Sequence, residues 1–297
     1  MSDTVKPDIE KIIHSGIEVL RDPCVLVEDG VYYVYGTGWV CYHSKDGLAG
    51  HWEGPVSVVS LPEGHECDGD QWAPEVHKYN GAYYMITTYH SSKTGNRGCT
   101  VLKADHPLGP FVEITKDGQI TPHDRYCIDG TLYIDEEGKP WMVFVHEWVC
   151  TDDRFGRMSA ARLSDDLTEM ISEPVELFRA DDAPWTNDRI TDGCWMYRCK
   201  DGHLLMIWSN FDETGYCVGV VHSETGSVLG PWKHEEKPLF SRRVTGKHDG
   251  GHGMIFHGLD GKMYLSIHSP NSSKDGTKEE PIFVPIVEKD DTLVLDL

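Results

Sequence analysis

The chain contains no run of about 18 apolar residues, so nothing in it reads as a membrane-spanning helix. It has no Cys-x-x-Cys pair, and Cys194 and Cys199, five apart, lack zinc-like spacing. Its nine cysteines are an odd number, and Cys24 and Cys217 sit inside apolar stretches, so free buried thiols are expected rather than a disulfide framework. There is no phosphate loop, dinucleotide fingerprint or nucleophile elbow, which argues against nucleotide-driven chemistry and serine hydrolases. No amphipathic helix of any length, linker or low-complexity run is visible, and Pro7 to His14 offers at most a turn or two. Basic residues are few, 27 against 49 acidic, for a net charge of −22. That balance disfavours nucleic acid and anionic membranes as partners, whereas a neutral sugar meets no repulsion. Met1 to Gly16 is polar, with no basic-then-apolar leader, so the expected location is cytoplasmic, or secreted if a leader has been removed.

What the chain does have is a repeat. Five times a turn ending in glycine, at Gly30, Gly81, Gly138, Gly202 and Gly261, is followed at once by an aromatic or apolar strand such as Val31-Tyr32-Tyr33-Val34-Tyr35. The glycines lie 51, 57, 64 and 59 residues apart. A short strand precedes each turn, and a proline-marked turn closes each unit, at Pro55, Pro110, Pro174, Pro231 and Pro281. A period of this size predicts an all-β fold, a five-bladed β-propeller, as one domain over residues 1–297. The last unit is the shortest, and pairing of Ile17 to Leu20 into the last blade is expected to close the ring.

In a propeller the first strands of all blades begin at the axis. Those starts carry Asp22, Glu75, Asp129, Asp192 and His252, which lie 8, 6, 9, 10 and 9 residues before their glycine turns. Asp-Gly and Asp-Pro are ordinary turn dipeptides, so any one of these is unremarkable alone. Five ionisable groups at one position, four of them carboxyls, predict a cluster whose carboxylates repel one another and form a candidate acid–base apparatus. The second strands return to the same face and should rim the pocket with Trp39, His90, Glu147, Trp148, Asn210 and His268, beside Trp72. Flat rings among carboxylates suit a sugar, whose apolar face stacks while its hydroxyls find polar partners.

Arg21-Asp22-Pro23, Trp72-Ala73-Pro74-Glu75-Val76, Ile128-Asp129-Gly130-Thr131-Leu132-Tyr133 and Gly251-His252-Gly253-Met254 together resemble glycoside hydrolase family 43, over nearly the whole chain. The resemblance implies an inverting glycosidase acting on arabinofuranosyl or xylosyl residues of oligosaccharides. It implies Asp22 as general base and Asp129 as the carboxylate that orients and tunes the acid. His252 matches an axial histidine that, by the same resemblance, often stands near a calcium or sodium ion, with no cofactor needed for the chemistry. The family's acid is usually a glutamate before Gly-Pro, whereas this chain has Asp192-Gly193-Cys194. Three readings follow: Asp192 is the acid, Glu147 supplies the proton, or the site is a non-catalytic sugar-binding propeller. Exo action on imported oligosaccharides is the expected mode.

Overall fold

Residues 7–271 and 278–297 are described by a computed structural model of the chain. Five antiparallel sheets follow one another along the sequence, each laid down from its innermost strand outward. The innermost strands are Cys24–Glu28, Cys67–Tyr79, Cys127–Ile134, Asp192–Arg198 and Gly251–His257. Each touches the next, and the fifth touches the first, so the sheets close into a five-bladed propeller. Second strands such as Val31–Gly36 and Leu204–Asp212 are packed by neighbouring blades on both faces, which is why they read as apolar runs rather than alternating ones.

All five repeat glycines have φ between 73° and 92°, a region glycine enters without steric cost. In the first two blades Asp29 and Asn80 are left-handed too, as a two-residue hairpin turn requires.

The last blade takes its outer edge from both ends of the chain. Ile13–His14 and Thr292–Leu295 each pair with Glu280–Lys289. The closing strand therefore lies before Gly16 and not at Ile17 to Leu20, as the sequence suggested. Gly16 turns the chain at φ 75°, and beyond it Ile17 and Leu20 are buried in the core beside the first blade. Leu20 N–H still donates to Glu279 O at 3.0 Å. Pro7 to His14 holds one short 3-10 turn, Ile9–Lys11. Among the described residues all nine cysteines are free thiols, seven of them buried, and no helix is long and apolar enough to cross a membrane.

The strand starts at the axis share one irregularity. Asp22, Ala73, Asp129, Gly193 and His252 all have φ between 37° and 56°. In blades 2 to 5 the ladder skips at this point, between Trp72 and Glu75, Ile128 and Thr131, Asp192 and Trp195, and Gly251 and Met254. A bulge of this kind re-aims side chains. It also corrects the expectation of five ionisable groups at one position. Asp22, Asp129 and His252 occupy the left-handed position itself. Asp192 stands one residue before it, and Glu75 two beyond, on the far side of the bulge.

Candidate active site

At this end of the axis lies a cavity of about 440 Å³, lined by Arg21, Asp22, Thr37, Trp72, Ile128, Asp129, Glu147, Trp148, Asp192 and His252. Three aspartates from blades 1, 3 and 4 thus share one small space. Their surroundings differ.

Asp22 is 9% exposed. Its Oδ2 accepts from Thr37 Oγ1 at 2.5 Å, and its N–H donates to His268 Nδ1 at 3.2 Å. Its Oδ1 lies 3.4 Å from the ring nitrogens of both His252 and His268. Burial pushes this carboxyl up, but His252, then His268 and Arg21, outweigh it and hold the group well below the usual carboxylate range.

Asp129, on blade 3, accepts from Gly193 N–H at 3.2 Å and lies 3.7 Å from His252 Nδ1. Burial first, then the neighbouring charge of Asp22, holds its carboxyl well above the ordinary range. Asp192, one residue before Gly193, accepts from the Tyr216 hydroxyl at 2.9 Å. Burial and the charge of Asp129 push it up to about 7, against the smaller opposing effects of His252 and Tyr216.

Glu147 has a different setting. Both its oxygens are taken by the Arg97 guanidinium, at 2.8 Å each. A carboxylate gripped by a planar fork is fixed in orientation as an acceptor.

Trp72, Glu147 and Trp148 line the cavity as expected of rim residues; Trp39, His90, Asn210 and His268 do not, nor does Glu75 from the strand starts. Trp39 is 5% exposed and pegs blade 1 to blade 2, its Nε1 donating to Thr87 Oγ1 at 2.8 Å. Glu75, beyond the bulge, is buried against His77 at 3.2 Å. His90 sits outside on the rim, paired with Asp68 at 2.6 Å. Asn210 is fully buried and accepts from Phe211 N–H at 2.7 Å. His268, also fully buried, accepts from Asp22 N–H at 3.2 Å and does not line the cavity.

By the resemblance, His252 stands near a calcium or sodium ion held through water. Its Nδ1 faces Asp22 at 3.4 Å and Asp129 at 3.7 Å, and no group of three or more His, Cys, Asp or Glu side chains among the described residues is arranged to hold a metal directly. A calcium ion takes six to eight oxygen ligands, so one beside His252 would draw most of them from water.

Residues 17–293 match the profile of Glycosyl hydrolases family 43. The chain belongs to this family. As a family-43 glycoside hydrolase it resembles the endo-arabinase from Bacteroides thetaiotaomicron, with 37% identity and a TM-score of 0.82, over 94% of this chain and 98% of that one. It is 28% identical to the probable arabinan endo-1,5-alpha-L-arabinosidase A of Emericella nidulans, over 86% of this chain and 76% of the relative. It is 25% identical to a xylosidase/arabinosidase of Butyrivibrio fibrisolvens, over 78% of this chain but only 44% of that protein. The glycosidase also contains site residues that its sequence did not single out. Thr37 and Tyr216 hold the two outer aspartates, and Arg97 holds Glu147. Thr37 falls two residues before Trp39, just after the aromatic strand of the first unit; Arg97 carries no local signal at all.

Proposed function

We propose that this glycosidase hydrolyses α-L-arabinofuranosyl linkages with inversion, Asp22 acting as general base, Asp192 as general acid and Asp129 as the carboxylate that tunes it. One observation carries the reading: Asp22 and Asp192 face one cavity, yet one is driven down and the other up to about 7. Inverting hydrolysis needs such a pair, ionised on one side to activate water and protonated on the other to help the leaving oxygen depart. Asp22 takes the proton from water as it attacks the anomeric carbon. Asp192 gives its proton to the departing oxygen. Asp129 and Asp192 are buried side by side and cannot both ionise without mutual repulsion, which after burial is the main effect keeping the proton on the acid. Trp72 and Trp148 offer flat faces to the sugar, and Glu147 accepts from its hydroxyls. Glu147 is set aside as the acid because Arg97 occupies both its oxygens.

For the substrate, the Bacteroides and Emericella relatives support α-1,5-linked arabinan cut internally, in place of the exo trimming suggested by the sequence. Digestion of linear arabinan, with products followed over time, tests this. Internal cleavage gives a ladder of oligomers and an early fall in viscosity; arabinose alone from the first time point would return the reading to exo action. No turnover of any arabinoside or xyloside would overturn the enzyme reading.

A further inference from the structure

Arg97 begins the third strand of blade 2, Arg97–Ala104, away from the three aspartates. Its guanidinium nevertheless joins two blades at the cavity rim. From blade 3 it receives Glu147, whose two oxygens accept from Nε and Nη2 at 2.8 Å each. From blade 2 it receives Asp70, at 3.0 Å from Nη1. It also packs on two aromatic rings: the guanidinium carbon lies 5.0 Å from the ring centre of Trp72 and 4.7 Å from that of Tyr126. Each of its three nitrogens donates to a carboxylate, and the side chain is only 18% exposed. Two of these partners, Trp72 and Glu147, line the cavity.

We infer that Arg97 is a positioning residue for substrate recognition: it fixes the Glu147 carboxylate as a hydroxyl acceptor and the Trp72 ring as a stacking face, as one rigid wall spanning blades 2 and 3. This rests on the proposed glycosidase reading. The physical basis is pre-organisation. A buried carboxylate without its cation is costly and moves or takes up a proton. A tryptophan at a cavity mouth without a partner on its back face samples other rotamers. With Arg97 in place, neither group has to be ordered when sugar arrives, so the wall contributes to binding rather than to bond breaking. Lysine cannot replace it, because an ammonium group has neither the fork nor the plane.

The test is steady-state kinetics on α-1,5-linked arabino-oligosaccharides across pH, for Arg97→Lys, Arg97→Met and Arg97→Met combined with Glu147→Gln. The last variant removes both charges and guards against misfolding caused by an unpaired buried Glu147. A displaced wall should raise KM by roughly tenfold to a hundredfold. The expected kcat stays within a few fold of wild type, and both limbs of the pH profile stay where they were. Glu147→Gln alone is the reference: adding Arg97→Met to it should raise KM further, by the lost support of Trp72, but by less than Arg97→Met raises it over wild type, because Arg97 and Glu147 act partly as a unit. Wild-type KM in Arg97→Lys and in the combined variant overturns the inference, as does a shifted alkaline limb, which would route Arg97 through the acid. Wild-type protein that cleaves neither arabinosides nor xylosides sinks the glycosidase reading itself; wild-type protein that cleaves them while the Arg97 variants behave identically sinks only this inference.

Discussion

Two corners of one cavity hold the same side chain and treat it in opposite ways. In the blade 1 corner, Asp22 has imidazole rings at 3.4 Å on two sides and a guanidinium in the adjacent residue. In the blade 4 corner, Asp192 has a phenol at 2.9 Å and a second buried carboxyl, Asp129, as its main electrostatic neighbour. Both are buried, so burial alone does not distinguish them. What distinguishes them is the sign of the charge supplied by the next blade. A ring of blades makes that possible, because each axial residue is flanked by two others that are remote in sequence.

The sharpest way to break the comparison is Asp22→Asn. It should lower kcat/KM on arabinan by about 10²–10⁴-fold while sugar binding, followed by tryptophan fluorescence, persists. Activity near wild type would remove Asp22 from the role of base. Asp192→Asn comes next. On natural linkages it should lose at least about a hundredfold, and on an arabinoside with an activated phenolate leaving group most of that loss should be recovered, since such a group needs little protonation. Rescue in Glu147→Gln and none in Asp192→Asn would move the acid to Glu147.

Smaller changes sharpen the contrast without abolishing it. Asn in place of His252 keeps a residue that tolerates the left-handed backbone at φ 48° but takes away the ring that does most to hold Asp22 down. The acidic limb of kcat/KM should move to higher pH, and an unmoved limb would show that His268 and Arg21 suffice. Tyr216→Phe removes a hydrogen bond that lowers Asp192, so the alkaline limb, set near pH 7 by that carboxyl, should also move up, with kcat changed only a few fold. The smallest effect is on stability. A folded pKa raised from 3.8 to about 7 means stability is full below about pH 4 and is lost as pH rises through about 7. The Tm of Asp192→Asn relative to wild type should therefore climb between about pH 4 and pH 7 and level off above, as differential scanning calorimetry would record.

Much of this architecture was legible from the sequence. Gly30, Gly81, Gly138, Gly202 and Gly261 mark five hairpins because only glycine enters their backbone region freely, and the apolar strands after them betray burial on both faces. Asp22, Asp129 and Asp192 could be placed at one end of the axis because strand starts share a position in each blade. Pocket lining was less legible. Trp39, Glu75, His90, Asn210 and His268 lie at or near the right strand ends, but the partners each side chain meets, and for Glu75 the bulge before it, decide whether it faces the cavity, solvent or a neighbouring blade. The closing strand was displaced for a similar reason: the apolar spacing of Ile17 and Leu20 reports burial in the core, which does not require sheet pairing.

The sequence by itself determined the number of blades, their turns and which carboxyls could meet, since these follow from local backbone freedom and the spacing of repeats. Only the tertiary structure decided which aspartate is driven down and which up, and that Glu147 belongs to Arg97, because those outcomes depend on charges brought within a few ångströms from other blades. Coulombic interaction falls with distance in space, and distance along the chain does not report it.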